Sequence, residues 1–367
     1  MTRRTDIASY LAEQRKLAGR CSRRIKDFSV FEFHHVPDEP LVRDECKTLI
    51  DELVRFEISG IATHQAIIGS RGSGKTLTVK YLQRIVSSQT DLDFVYVNCR
   101  HHSTTYKILA HLLGVQPRGP SLPELFERFC RQHSRKTVVA LDEVDLMSPK
   151  DRRREILYLL SRAERPFMVV MLSNNPHVLK ELDAATRSSL QPVPLHFRNY
   201  NAEQIAEILR ARAQRGLHEY DEATLSEIAA LTARLTNSDA RLAIKTLQYA
   251  VMSTGKELRA CFEHARRDLV VDLISDLSDA TLMILWAAAT SKVDFAKEIY
   301  ARYSRFSRQQ REKPFSYGYF YSNLSYLQSI GLVALVSTKK ERTYANRVQV
   351  TFDPVITSEI CSLRFDR

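Results

Sequence analysis

Short apolar runs alternate with stretches of helical periodicity between about residues 43 and 197. This alternation predicts parallel β-strands joined by helices, because parallel neighbours need long crossover connections. Each run is almost continuously apolar, which predicts strands buried on both faces. The predicted strands are Ala66 to Ile68, Phe94 to Val97, Val138 to Leu141, Phe167 to Leu172 and Val193 to Leu195.

Helical periodicity continues alone after Asn201. Asn201 and Gln204 are spaced as a capping pair at the start of a helix that Gly216 should end. Further helices are predicted over 221–235, 239–253 and 257–269. These segments predict a small helical domain.

The order of elements changes again after about residue 272. Helices are predicted over 279–290, 294–308 and 316–330, and strands over 332–336 and 347–352. Three helices followed by a hairpin are typical of a winged helix-turn-helix. The predicted divisions are a basic arm (1–28), an α/β core (29–199), a helical lid (200–270) and a winged-helix domain (271–367).

The stretch from Gly69 to Thr76, GSRGSGKT, fits the phosphate-binding pattern GxxxxGK[ST] (Walker A). Glycines allow positive φ, so that successive N–H groups can face a phosphate at the start of a helix. Lys75 is predicted to reach the β- and γ-phosphates, and Thr76 to ligate Mg²⁺. The alternative is a flexible Gly/Ser loop.

Polar residues follow two other apolar runs. Asp142 and Glu143 follow Leu141, at the carboxyl end of a predicted strand, where open parallel sheets bind ligands. Asp142 is predicted to hold Mg²⁺ and Glu143 to polarise the attacking water (Walker B), with a helix cap as the alternative. Asn174 is predicted to orient that water or contact the γ-phosphate, with a simple turn before Pro176 as the alternative.

The amino-acid composition indicates to which broad class of protein the chain belongs. The 367 residues are 44% hydrophobic, enough to bury the cores of about two or three domains. Apolar runs stay well short of the roughly 18 residues of a membrane span, and the start of the chain is charged, so a cytosolic protein is expected. The six scattered cysteines predict reduced thiols. Zinc held by two Cys/His pairs, Cys99 with His101 and Cys130 with His133, is the alternative use.

A formal net charge of +11 indicates a polyanionic partner. Residues 1 to 26 carry eight Lys and Arg residues against Asp6 and Glu13. This segment is compatible with a phosphate-binding arm and equally with a solvated arm.

Taken together, these residues resemble the AAA+ ATPases, and within them the archaeal-type replication initiators related to origin-recognition-complex subunit one and cell-division-cycle protein six. The resemblance runs from about residue 30 to 352. The stretches that carry it, besides Gly69 to Thr76, are 35–43 (HVPDEPLVR), 96–100 (YVNCR), 141–145 (LDEVD), 173–175 (SNN) and 237–241 (NSDAR).

The resemblance implies an α/β fold in which an AAA+ P-loop parallel sheet and a helical lid precede a C-terminal winged-helix domain. It also implies that the segment before the core packs on adenine and that Arg241 contacts the γ-phosphate. The predicted nucleotide-binding residues are Val36, Pro37, Arg43, Gly69, Ser70, Arg71, Gly72, Ser73, Gly74, Lys75, Thr76, Leu77 and Arg241. The predicted catalytic residues are Lys75, Glu143, Asn174 and Arg241.

Two segments depart from the family pattern. In residues 183–190, DAATRSSL, Ala185 stands where the family's inter-subunit arginine is expected, which leaves Arg187 as its candidate substitute. The predicted recognition helix, which starts near Ser316, lacks the basic residues expected near Gly318 and Tyr319.

The recognition helix has one apolar face, Phe320, Leu324 and Leu327, which predicts that Asn323 and its neighbours face outward. Only Asn323 among these has bidentate base-reading chemistry, so this helix is expected to give modest sequence specificity. The basic residues of the hairpin and of the preceding helix are expected to neutralise phosphates and to give affinity more than sequence choice. A solvated basic hairpin is the alternative. The predicted DNA-binding residues are Tyr317, Tyr319, Asn323, Lys339, Lys340, Arg342, Arg347, Arg302, Arg305 and Arg308.

The resemblance therefore implies an ATP-switched initiator that binds origin duplex DNA and recruits or loads the replicative helicase. ATP or ADP with Mg²⁺ is expected between core and lid, with slow hydrolysis as the switch. A monomer or an assembly dependent on ATP and DNA is expected, in the cytoplasm with the nucleoid and without a membrane partner. Two alternatives stay open: an AAA+ branch-migration or other DNA motor, and a non-hydrolysing ATP-binding DNA regulator from a mobile element.

Overall fold

Five strands form a parallel sheet at the centre of the first part of the chain. They are β1 (Gln65–Gly69), β2 (Asp93–Asn98), β3 (Thr137–Asp142), β4 (Phe167–Ser173) and β5 (Val193–Phe197). Their order across the sheet is β2-β3-β4-β1-β5. In register, Ile67 of β1 lies opposite Leu172 on one side and Leu195 on the other. All five predicted strands are therefore confirmed.

Helices cover both faces of this sheet. Successive residues of a strand point to opposite faces, so Val138 packs in one apolar cluster with Phe56 and Val139 in another with Phe129. The helices of this part are α1 (Asp44–Ser59), α2 (Lys75–Gln89), α3 (Thr105–Leu112), α4 (Leu122–Gln132), α5 (Glu155–Ser161) and α6 (Ala184–Leu190).

The prediction that every strand is buried on both faces holds for β3 and β4, in which each residue is buried. It is wrong for β5, in which Val193 is 46% exposed and only Phe197 is buried. β5 is exposed because it pairs with β1 alone and forms one edge of the sheet. An apolar run predicts that a strand forms, but it does not predict whether that strand lies at the centre or at the edge of the sheet.

The first three of the four helices predicted for the lid are α7 (Ala202–Gly216), α8 (Glu222–Leu235) and α9 (Ala240–Met252). The capping pair is confirmed, since Asn201 and Gln204 each accept a hydrogen bond from the other's backbone N–H. The apolar core of the lid includes Val30 and Phe31 from the segment before α1. The next helix, α10 (Leu258–Ser275), extends beyond its predicted end.

The last part of the chain has the predicted winged-helix order. Its elements are α11 (Asp279–Ala289), α12 (Ala296–Gln309), α13 (Tyr317–Ser329), β6 (Val333–Lys340), β7 (Thr343–Val350) and α14 (Pro354–Phe365). Gly331 closes α13 with φ of 81°, and β6 and β7 pair antiparallel. The helix α14, which buries Ile356 and Cys361 in the core of this part, was not predicted from the sequence.

The structure is a computed structural model that describes residues 24–116, 118–148, 151, 154–253, 257–291, 295–340 and 343–365, with Ile7, Leu11, Arg15 and Gly19. For residues 339, 340 and 343–345 only the backbone is described. The chain forms two compact units, Met1–Leu258 and Arg259–Arg367. Within the described residues, no helix has the length and apolar character needed to cross a membrane. The same residues contain no cluster of three or more His, Cys, Asp or Glu side chains suited to a metal ion.

Candidate functional site

The loop from Ser70 to Gly74 joins the end of β1 to the start of α2. Gly72 and Gly74 have φ of 75° and 87°, a conformation that residues with a Cβ rarely adopt. A side chain at position 74 would also collide with the hydroxyl of Tyr200. The backbone geometry fits the predicted phosphate-binding loop, which we call the P-loop.

Lys75 lies at the base of the P-loop and is 7% exposed. Its Nζ donates to the carbonyls of Gly69 and Ser70 at 2.8 Å and to Asn174 Oδ1 at 2.9 Å. Burial lowers the pKa of Lys75 to about 8, although nearby carboxylates oppose this shift. The structure thus brings two predicted catalytic residues, Lys75 and Asn174, into direct contact.

Asp142, the last residue of β3, is buried beside the P-loop. Its Oδ2 accepts hydrogen bonds from Thr76 Oγ1 and from the hydroxyl of Tyr96, each at 2.7 Å. Hydroxyl and carboxylate oxygens are the ligands that Mg²⁺ prefers, so this pair of side chains fits the predicted metal. Tyr96 was missed as a site residue, although it lies in one of the stretches that carry the family resemblance. Burial, followed by Asp142, raises the pKa of Tyr96.

Glu143 is held at the same edge of the sheet. Its φ is 52°, a left-handed conformation that occurs at functional sites more often than elsewhere in non-glycine residues. Its Oε2 accepts a hydrogen bond from Asn98 Nδ2 at 3.2 Å. The turn that follows, Val144–Leu146, receives no capping bond from the Glu143 side chain. This geometry disfavours the helix-cap alternative and adds Asn98, at the end of β2, to the site.

A hydrogen bond behind the site joins the residues that follow β3 to the end of β4. Ser173 Oγ donates to Asp145 Oδ1 at 2.6 Å. Burial raises the pKa of Asp145. Since Asn174 directly follows Ser173, this bond fixes the strand end from which Asn174 reaches Lys75. No spacing in the sequence indicated that Asp145 and Ser173 would pair.

Arg43 was predicted to face the nucleotide, but its guanidinium is buried against the protein. It donates to the carbonyls of Ser73 and Arg198, both at 2.8 Å. The same group lies 4.4 Å from the centre of the Tyr200 ring, within the range of a cation–π interaction. The side chain of Arg43 thus supports the P-loop backbone, and its predicted contact with nucleotide stays a prediction.

Val36 and Pro37 lie in the half-buried segment before α1. The carbonyl of Pro37 accepts a hydrogen bond from Arg84 Nη2 of α2 at 3.0 Å. This contact ties the segment to the helix that follows the P-loop. The predicted packing of Val36 and Pro37 on adenine stays a prediction.

The lid contacts the P-loop through the start of α9. Asp239 caps α9 by accepting from the N–H of Arg241 at 3.0 Å. The guanidinium of Arg241 pairs with the same carboxylate, with Nε 2.9 Å from Oδ1 and Nη2 bonded to Oδ2. A side chain at Gly72 would collide with Asp239, so the glycine at this position lets the lid approach the loop. Although burial alone would raise the pKa of Asp239, Arg241 lowers it.

Arg187 and Ala185 both lie on α6, and both are exposed. Asp183 caps this helix through the N–H groups of Ala185 and Thr186. The exposure of Arg187 is compatible with its predicted inter-subunit role, which stays a prediction.

The helix α13 presents the predicted apolar face. Phe320, Leu324 and Leu327 are fully buried, which confirms that part of the prediction. Tyr317 and Tyr319 are 45% and 47% exposed and remain available to a partner.

Asn323 differs from its prediction. It is half-buried, its Oδ1 accepts from Thr281 Oγ1 at 3.0 Å and its Nδ2 donates to the Tyr319 carbonyl at 2.8 Å. Both polar atoms of the amide therefore have partners within the protein. Asn323 does not offer a bidentate pair to a base in this conformation, because the side chain turns back toward α11.

Arg302 makes a contact within the protein, and its predicted role as a phosphate contact stays a prediction. It is half-buried on α12, and its Nη1 donates to the Thr290 carbonyl at 2.9 Å. Arg305 and Arg308 on the same helix are exposed, and so is Arg347 on β7. Lys339 and Lys340 belong to β6, and Arg342 lies outside the described residues.

Comparisons with known proteins give the family. A sequence model described as "AAA domain" matches residues 62–180. The chain is 28% identical over 327 residues to "ORC1-type DNA replication protein 3" of Sulfurisphaera tokodaii, covering 83% of this chain and 84% of that protein. It is 31% identical over 281 residues to "ORC1-type DNA replication protein 1" of Sulfolobus acidocaldarius, covering 68% of this chain and 70% of that protein.

A solved structure, the Aeropyrum pernix ORC1 protein in complex with DNA, matches the fold. Its TM-score is 0.69 at 24% identity, over 94% of this chain and 98% of that chain. The fold is thus an AAA+ P-loop sheet with a helical lid, followed by a winged-helix domain. Given this fold and the 31% identity to a relative of which it covers 70%, the chain belongs to the family of ORC1-type DNA replication proteins.

Proposed function

We propose that this protein is an ATP-dependent replication initiator that binds origin duplex DNA and recruits or loads the replicative helicase. The observation that carries the proposal is the convergence of Lys75, Asn174 and Asp142 at one P-loop, which the lid approaches through Asp239 and its partner Arg241. Membership of a DNA replication family and the fold match to a protein solved with DNA support it.

Nucleotide binding rests on the P-loop and the start of α2. Backbone N–H groups of the loop would cradle the phosphates, and Lys75 would exchange its present acceptors for phosphate oxygens. Thr76 and Asp142 would hold Mg²⁺, which supplies charge neutralisation at the phosphates. Arg241, projecting from the lid, would contact the terminal phosphate.

Hydrolysis is proposed to be slow and to serve as a switch. Glu143 would orient and deprotonate the attacking water, and Asn174 would help to position it. The hydrogen bond from Asn98 occupies one oxygen of Glu143, and Ala185 stands where the family's inter-subunit arginine is expected. Both features favour a low intrinsic rate.

DNA binding is assigned to the winged-helix unit. Tyr317 and Tyr319 would meet the duplex from α13, and Lys339, Lys340, Arg342 and Arg347 would neutralise phosphates from the hairpin. The domain limits at residues 28, 199 and 270, a cytoplasmic location with the nucleoid, and assembly that depends on ATP and DNA are parts of the same proposal.

Nucleotide titration calorimetry on the full chain tests the first step. Wild type should bind ATP and ADP in the presence of Mg²⁺, and Lys75→Ala should lose binding. Absence of nucleotide uptake by folded wild type would overturn the proposal. Glu143→Gln should retain binding while losing hydrolysis.

Sequencing the DNA that co-purifies with the protein from its own cells tests the initiator role. Enrichment at a replication start supports it, whereas dispersed binding contradicts it. Assembly of the protein into a ring, with sustained ATP hydrolysis that DNA stimulates, would identify a motor. If wild type binds ATP but does not hydrolyse it, Glu143→Gln will have no hydrolysis to remove. That result would identify a non-hydrolysing regulator.

A further inference from the structure

Asp239 occupies a position between the lid and the P-loop that capping of α9 alone does not require. Both of its carboxylate oxygens are bound by the guanidinium of Arg241. The same carboxylate lies against Gly72, where no side chain could fit. A negative charge therefore stands beside the loop that is proposed to receive phosphates.

This arrangement has an electrostatic consequence. A bidentate carboxylate partner occupies the Nε and Nη2 donors of Arg241, one of the guanidinium edges that can hold a phosphate through two parallel hydrogen bonds. Asp239 also carries the same sign of charge as a phosphate, and like charges repel each other more strongly at this half-buried position than in bulk water. A terminal phosphate must therefore share Arg241 with Asp239.

We propose that Asp239 is a specificity-determining residue that restrains triphosphate binding by competing with the terminal phosphate for Arg241. This inference rests on the proposed function, in which Arg241 contacts the γ-phosphate. ADP lacks that phosphate and does not compete for Arg241. Asp239 therefore lowers the preference of the protein for triphosphate over diphosphate.

The variant Asp239→Asn tests this inference because it removes the charge but keeps a side chain that caps helices well. Its affinity for AMP-PNP with Mg²⁺, measured by calorimetry on the full chain, should rise by about tenfold, the change expected when a charged competitor is removed. Its affinity for ADP should change by less than about twofold.

Two controls isolate the pair. Asp221 caps the neighbouring lid helix α8 in the same way, through the N–H groups of Ala223 and Thr224, so Asp221→Asn should leave both affinities unchanged. In an Arg241→Gln background, Asp239→Asn should no longer tighten AMP-PNP binding. Asp239→Ser supplies a second capping variant if thermal unfolding shows that the asparagine disturbs the lid.

Four results would overturn the inference. These are unchanged or weaker AMP-PNP binding by the Asp239 variants, equal tightening of ADP and AMP-PNP, persistence of the effect without Arg241, and an equal effect of Asp221→Asn. Each of them leaves nucleotide binding by wild type intact. Loss of nucleotide binding by wild type itself would overturn the proposed function together with this inference.

Discussion

His64 illustrates how a single side chain links sheet formation to pH. Its Nδ1 accepts a hydrogen bond from the N–H of Val169 in β4 at 3.0 Å, which requires an unprotonated nitrogen. Burial lowers the pKa of His64 to about 4. The neutral ring is thus part of the folded structure, whereas an unfolded chain protonates histidine near its ordinary pKa of about 6.5.

We therefore predict that His64 destabilises the fold as pH falls from about 6.5 to 4, because protonation favours the unfolded chain. Its contribution is fully present above pH 6.5. With the partial exposure of the ring taken into account, the loss in free energy of unfolding should be roughly 2 kcal/mol. Urea unfolding at pH 7.5 and at pH 4.5 measures it.

The variant His64→Asn offers an acceptor oxygen in a similar place but does not titrate. It should unfold with a smaller decrease in stability between the two pH values than wild type. The exposed His101 provides the matched control, since His101→Asn should leave that decrease unchanged. An identical pH dependence in wild type and His64→Asn would refute the prediction.

Lys75 gives a second prediction at this scale. With its pKa lowered to about 8, the free protein carries only part of the ammonium charge at pH 8, and phosphates would restore it. Nucleotide binding at pH 8 should therefore take up about half a proton. Calorimetry in two buffers of different ionisation enthalpy measures this uptake.

The same experiment at pH 6.5 is the control for Lys75. The ammonium is already formed there, so uptake by this residue should be close to zero. Proton uptake that does not differ between the two pH values would contradict the lowered pKa.

At the scale of elements, a side chain of α7 holds the segment before α1 in place. Arg212 of α7 is buried and donates to the carbonyls of Val30, Glu32 and His35. Burial lowers its pKa to about 10. A planar guanidinium can serve three carbonyls in fixed directions, whereas the single ammonium of lysine cannot match that geometry.

We predict that Arg212→Lys lowers the free energy of unfolding by about 2 kcal/mol, because buried carbonyls lose their donors. The matched control is Arg215→Lys on the same helix. Arg215 is half-exposed and pairs with exposed Asp38, so this change should cost less than about 0.5 kcal/mol. Equal destabilisation by the two variants, measured by urea unfolding, would show that Arg212 is no special anchor.

The ends of helices were predicted correctly where particular residues mark them. The Asn201–Gln204 pair and Gly331 marked helix ends that the structure contains. The helix α14 was not predicted, although Ile356 with Ile360 and Cys361 with Phe365 contact the core at the i, i+4 spacing of a helix. The hairpin strands also run beyond their apolar residues to Lys340, because pairing between β6 and β7 depends on backbone hydrogen bonds that polar residues also make.

At the scale of the whole molecule, the charge of +11 bears on DNA binding. Each phosphate contact releases counterions, so the logarithm of affinity falls linearly with the logarithm of salt concentration. The slope has a magnitude of about 0.9 per phosphate contact. We predict that Lys339→Gln with Lys340→Gln weakens duplex binding and reduces the slope of log affinity against log salt by about 2. Fluorescence anisotropy between low and physiological salt measures it.

The control for this prediction is an equal loss of charge in the other compact unit, Lys47→Gln with Arg55→Gln on α1. These residues already form ion pairs with Asp44 and Glu52, and their loss should leave the slope near that of wild type. If the hairpin lysines are merely solvated, affinity and slope will both be unaffected by their replacement.

The sequence by itself determined the succession of strands and helices along the chain, the P-loop and the acidic residues after β3. These follow from local rules: burial selects apolar runs, glycine permits positive φ, and phosphate and magnesium require particular side chains. The family resemblance, carried by five short stretches besides the P-loop, supplied the lid and Arg241.

Only the tertiary structure decided which side chains those residues meet. It brought Asn174 to Lys75 and Tyr96 to Asp142, turned Arg43 onto the P-loop backbone and Asn323 onto Thr281, and paired Arg241 with Asp239 beside Gly72. Most of these partners are far apart in the chain. Their contacts depend on strand order, lid placement and competition among donors for buried acceptors, which no local pattern in a single sequence encodes.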